Sequence, residues 1–130
     1  MTEETKDLLR QGIVPVLLGN HREAHRLSAR LYRTYGVPSV LCGERRTLWD
    51  LLDPCCSFHA LTREGDPRLT AEQLADLAAE YEDCFLVLVP FNDADQALIH
   101  GHGELIEPYF VCRDPEALWS DPMLETLRLI

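Results

Sequence analysis

At 130 residues the chain has room for one domain with a real core, since a chain of about 150 residues buries roughly two thirds of its unfolded surface. Hydrophobic residues at 46% and charged residues at 26% are ordinary globular values and carry no disorder signal. The formal net charge of −10 argues against general binding to a phosphate backbone and against an anionic membrane surface.

The opening stretch MTEETKDLLRQG is acidic and polar, where a signal peptide needs a basic start and an apolar centre. No apolar run is long enough to span a bilayer, so a cytoplasmic protein is expected. A short leading helix is expected around Leu8 and Leu9. Ile13 to Leu18 then form a near-continuous apolar run, the mark of a strand covered on both faces. Pro15 lies inside it and lacks a ladder donor, which places it near the strand's start or at an edge.

The best-determined element is a helix from Arg22 to Tyr35. At 100° per residue Ala24, Leu27, Leu31 and Tyr35 fall on one side, and Arg22, Arg26, Arg30 and Arg33 on the other. Asn20 is expected to cap its first turn and Gly36 to end it. From His21 to Arg46 six arginines face two glutamates, so this segment is positive on an otherwise acidic body. Such a patch suits an anionic small ligand or an acidic partner, although a charge run is most often a solvated face.

Val37 to Cys42 form a second strand closed by Gly43, with Arg45 and Arg46 directly behind it, where a nucleotide-binding sheet often meets a phosphate. Thr47 to Leu52 predict a short helix around Trp49, halted by Asp53 and Pro54, and Ser57 to Leu61 a short strand. Thr70 to Glu82 predict a second long helix, opened by a capping box of Thr70 and Gln73. Cys84 to Val89 are the most hydrophobic strand, ended by Pro90. Asn92 and Asp93 open a further helix, stopped by Gly101 and Gly103. Tyr109 to Cys112 predict a last strand, and Asp114-Pro115 the start of a helical tail towards Ile130.

Strands alternating with helices imply a parallel, doubly wound sheet in an α/β domain spanning residues 1–130. Such sheets bind ligands beyond the carboxyl ends of their strands, where strand order reverses. The loops expected to meet there are Gly19-Asn20-His21 and Pro90-Phe91-Asn92-Asp93. Gly19, Asn20, His21, Asn92 and Asp93 are therefore the expected substrate-binding residues, and Arg22, Arg45 and Arg46 the anion-binding candidates. Taken singly, Asn20 and Asp93 are read more simply as helix caps. A lone glycine in the first turn, in place of GxGxxG, disfavours a dinucleotide.

Catalytic chemistry is not expected. Cys42 is the only candidate nucleophile, and core packing accounts for it better. The five cysteines are odd in number and lack a disulfide rhythm, which suits free thiols. His21 and His25, at i and i+4, would need a cysteine or His59 to hold zinc; two histidines are weak evidence, and no metal is expected.

The run PVLLGNHREAHRLSARLYRTYGVPSVLCG resembles the opening of bacterial ATP-grasp carboxylate-amine ligase-like proteins, the group related to D-aspartate ligase. Pro15, Val16, Leu18, Gly19, Ala29, Arg30, Tyr35 and Gly36 stand in the matching places. FLVLVPFNDADQALI is similar to that family's aliphatic strand, proline and aspartate, here Pro90 and Asp93. EPYFVCRDPEALWSDP is similar to the segment closing its N-terminal domain. The resemblance implies a Rossmann-like three-layer sandwich with a mainly parallel sheet of about five strands, a pre-ATP-grasp domain contributing to a substrate cleft.

Two departures stand out. Asn20-His21 replaces the small or acidic residue that often follows the first glycine, and Met123 to Ile130 lack the lysine expected where the family continues into its ATP-binding domain. The resemblance thus implies a non-catalytic scaffold that binds a small carboxylate or amino acid, with ATP and Mg²⁺ held only by a separate ATP-grasp domain or subunit. The alternatives are a free-standing small-molecule-binding, sensor or enzyme domain and an interaction module using its arginine face. Trp119, Met123, Leu124, Leu127, Leu129 and Ile130 in the tail lead to the expectation of a homodimer.

Overall fold

The computed structural model describes residues 12–115. Five strands, β1 (Ile13–Leu17), β2 (Ser39–Gly43), β3 (Cys56–Ala60), β4 (Phe85–Val89) and β5 (Phe110–Cys112), form one sheet in the order β3-β2-β1-β4-β5. Every neighbouring pair is parallel. The connections are α1 (Arg22–Tyr35), α2 (Leu48–Leu52), α3 (Pro67–Ala79), α4 (Asp93–Gly101) and the single turn α5 (Gly103–Ile106).

The alternation of side chains divides the core. Ile13, Leu17, Leu41, Val87 and Val89 pack under Ala24, Leu27, Leu31 and Tyr35 of α1. On the opposite face Val16, Val40, Leu86 and Leu88 meet Leu74 and Leu77 of α3, Leu98 of α4 and Ile106 of α5. Each large aliphatic side chain buried this way contributes about 1.5–3 kcal/mol, far more than the helix propensity of these segments. The result is a Rossmann-like three-layer α/β sandwich. Among the described residues no helix is long and apolar enough to cross a membrane.

Pro15 departs from expectation: it sits mid-strand in β1, the central strand, opposite Val87 of β4. Parallel ladders alternate their bonds between the two neighbours, and Leu18 N–H already reaches Val89 on the β4 side at 3.0 Å. Pro15 therefore faces β2, where the pairing begins one residue later at Val16 with Val40. The missing donor falls where the ladder has not yet started.

Helix starts account for the other differences. His21, not Asn20, caps α1, its Nδ1 accepting from Ala24 N–H at 3.3 Å, because the Asn20 amide is drawn to α2 and its approach loop. Gly36 ends α1 at φ 71°, the left-handed geometry that glycine adopts without strain. The expected start of α3 at Thr70 is too late: Asp66 caps the helix and Pro67 occupies its first turn, a stronger start signal than a capping box. Thr70 instead donates its hydroxyl to Thr62 O, and Gln73 accepts from Thr62 N–H at 2.7 Å, tying the loop after β3 to α3. Gly103, expected to be a stop, opens α5, whose buried Ile106 makes a second turn worthwhile. The leading helix and the helical tail lie outside the described residues.

Candidate functional site

Strand order reverses between β1 and β4, so the loops that leave these two strands open the switch-point crevice. They meet directly. The rings of His21 and Phe91 pack edge-on with centroids 4.9 Å apart and planes at 88°. This pair stands between two clefts rather than leaving one.

The larger cleft, about 520 Å³, is lined by Gly19, Asn20, His21, Cys42, Arg45 and Arg63 among others. The smaller, about 400 Å³, is lined by Glu23, Pro90, Phe91, Asn92, Asp93 and Asp114 among others. Five expected substrate-binding residues are thus divided three to two, with Gly19, Asn20 and His21 on one side and Asn92 and Asp93 on the other. Of the anion candidates Arg45 lines the larger cleft. Arg22 turns instead into a groove between α1 and α2, and Arg46 lies over the Phe58 ring at 5.5 Å.

Several of these side chains already have work within the fold. Asn20 donates through Nδ2 to Arg45 O and to Asp50 Oδ2, both at 2.8 Å. Asn92 is the cap of α4, its Oδ1 accepting from Asp95 N–H at 2.8 Å. Gly43 is needed beside Asn20, because a Cβ there would come within 2.5 Å of Asn20 Oδ1. A Cβ at Gly19 would likewise come within 2.7 Å of the His21 ring.

The residue that the sequence reading missed is Arg63. Leaving β3 at the sheet's edge, its side chain reaches Asp95 of α4, beyond β4, and so crosses the carboxyl ends of the central strands. Its Nη2 donates to Asp95 Oδ1. Asp95 is fully buried and accepts on its other oxygen from Phe91 N–H at 2.9 Å. Arg63 Nη1, however, is buried without a hydrogen-bond partner among the described residues. A signal for it was present, since the loop after β3 also opens on the carboxyl edge and carries an arginine.

Cys42, at the end of β2, gives this cleft no nucleophile. Burial pushes its thiol up to about 12, only partly countered by the Arg63 charge.

A second polar cluster lies beside the sheet, where α1, α2 and β3 meet. His25 in α1 is held at both ring nitrogens, Nδ1 to Asp53 Oδ2 and Nε2 to Asp50 Oδ1, each at 2.7 Å. Asp50 also accepts from Thr47 N–H at 2.7 Å and from Asn20. Burial works to raise the Asp50 carboxyl, but the hydrogen bonds from Thr47, Asn20 and His25 prevail and hold it below its ordinary value. Asp53 is lowered in the same way against its burial, by His25, Cys55 and Cys56. The Cys56 thiol is pushed up to about 12, first by burial and then by the neighbouring Asp53.

Compared with known proteins, the chain matches no family model, no curated protein and no solved structure. The class of protein follows from fold and site alone: a doubly wound sheet with a divided crevice and a half-buried arginine across its carboxyl edge.

Proposed function

We propose that the chain is a binding module for a small carboxylate, an amino acid or a related anion, taken up in the cleft beneath Arg63 and Arg45. The observation that carries this reading is the buried Arg63 Nη1, which has no hydrogen-bond partner among the described residues. A buried donor left without an acceptor costs about 1–3 kcal/mol, and a ligand oxygen at that position recovers it. A cleft of about 520 Å³ is in the size range of small-molecule sites.

The resemblance to pre-ATP-grasp domains extends this reading. On that account the chain presents a substrate to a catalytic domain elsewhere, which supplies ATP and Mg²⁺, and does not itself activate the carboxylate. Support for it rests on the residues that carry the resemblance and on a fold of the kind it implies.

The test is calorimetric titration of the chain with amino acids and simple mono- and dicarboxylates, repeated on Arg63→Lys. Lysine retains a charge for Asp95 but has no second planar donor. Carboxylate binding by the wild type that is lost in a folded Arg63→Lys chain supports the reading. No binding across the panel at millimolar concentrations, or equal binding by both chains, overturns it.

A second reading, an interaction module, draws on α2. Leu48, Trp49, Leu51 and Leu52 are 64–70% exposed beside the arginines of α1. Apolar exposure next to positive charge suits an acidic partner surface.

A further inference from the structure

We propose that His25, Asp53 and Cys56 form a site for one divalent cation of the zinc class, with Asp50 orienting His25 from behind. This proposal rests on residues other than those of the carboxylate cleft, although Asn20 and Asp50 link the two. Three separate elements supply the donors: His25 comes from the first turn of α1, Asp53 closes α2, and Cys56 begins β3. Their ligand atoms, an imidazole nitrogen, a carboxylate oxygen and a thiol sulfur, all lie within 4.8 Å of one another. Donors around a tetrahedral zinc sit roughly 3.5 Å apart, so small side-chain rotations close the set around an ion.

The donor chemistry selects the ion. Calcium and magnesium take oxygen ligands, and a set with one nitrogen and one sulfur offers them little. Imidazole, carboxylate and thiolate together suit Zn²⁺ and Co²⁺.

The surroundings of His25 separate this cluster from a chance gathering of polar groups. An ion at Nδ1 takes the place of the proton shared with Asp53, while Nε2–H remains a donor to Asp50. Asp50 is in turn fixed by Thr47 N–H and by Asn20, so ring orientation and tautomer are both set. Asp53 is prepared likewise: Oδ1 accepts from Cys55 N–H at 2.8 Å, which leaves Oδ2 to face the ion. Two carboxylates face one imidazole here, and a dication that displaces the Cys56 thiol proton on binding balances the resulting donor set better than a proton does.

Three protein ligands leave a fourth position. His25 and Asp53 both line the groove between α1 and α2, of about 910 Å³, which Arg22, Arg26 and Arg33 also line. Water or an anionic group reaches the ion from that side, with guanidinium groups nearby to favour the anion.

The experiment is titration of the reduced full-length chain with Co²⁺, followed by displacement with Zn²⁺. One equivalent per chain should bind and produce a thiolate-to-cobalt charge-transfer band in the near ultraviolet. The band should vanish in Cys56→Ser and persist in Cys84→Ser, with folding checked by circular dichroism. Asp50→Asn should keep the band and the stoichiometry while weakening affinity about 10–100-fold, as loss of an orienting carboxylate does. Absence of the band in the wild type overturns the site without reference to any variant. Survival of the band in Cys56→Ser, or its loss in Cys55→Ser alone, overturns the ligand assignment. Because neither Arg63 nor any small-molecule carboxylate enters this test, its failure leaves the cleft reading untouched.

Discussion

Asn20, at the tip of β1, donates to Asp50 of α2 across 2.8 Å, and Asp50 receives His25 on its other oxygen. One buried carboxylate therefore braces the switch-point loop and the His25 cluster together. Its side chain is inaccessible to solvent, so nothing but these partners can satisfy it.

Removing that carboxylate should be costly. Asp50→Ala leaves the Thr47 N–H, the Asn20 amide and one nitrogen of His25 without their acceptor. The expected loss is about 3 kcal/mol, measured as a lower midpoint in urea unfolding. Asp50→Asn keeps the shape and one acceptor and should lose less.

Acid should unfold the chain through the same groups. Asp50 and Asp53 both have folded-state values held below the ordinary carboxylate range. Carboxyls of that kind bind more protons unfolded than folded, so stability is fully present above the ordinary range and is lost as pH falls through it towards the folded values. Urea midpoints measured from pH 7 down to pH 3, with chelator present, should fall along this course. The slope should be shallower in Asp50→Asn/Asp53→Asn.

The Cys42 thiol should be inert in the native chain. At 1% exposure and with its ionisation displaced to about 12, it offers alkylating reagents almost no thiolate at pH 8. Mass spectrometry after brief iodoacetamide treatment should find Cys42 unmodified until denaturant is added. Early modification would show that the end of β2 opens readily.

What could be read from the sequence was what depends on short-range pattern. The apolar stripe of α1 and the aliphatic runs of β1 and β4 placed those elements within about a residue, because periodicity and burial are the same information. The meeting of the loops after β1 and β4 followed from the order of strands and helices. The cap of α1 did not, since Asn20 is diverted by residues 25 and 30 positions further on. Arg63 and Asp95 are 32 positions apart, and His25 is 25 and 28 from its two aspartates. Pairings at that range carry no local signal. Pro15 shows the converse, a local rule on proline overridden by the register of the neighbouring strand.

The contact between His21 and Phe91 sets the last expectation. It separates the cleft holding Arg63 from the cleft holding Asp93. An amino acid whose carboxylate sits on Arg63 cannot present its ammonium group to Asp93 while the rings remain in contact. Phe91→Ala should forfeit about 1 kcal/mol of ring contact, and its lost packing as well, but join the two clefts. If the proposed carboxylate site is real, calorimetry on this variant should show amino acids gaining affinity over the corresponding des-amino carboxylates. In the wild type the two ligand series should bind alike, because among the described residues lining that side of the rings the only acidic groups are Glu44 and Glu64 at the rim, which are exposed to water.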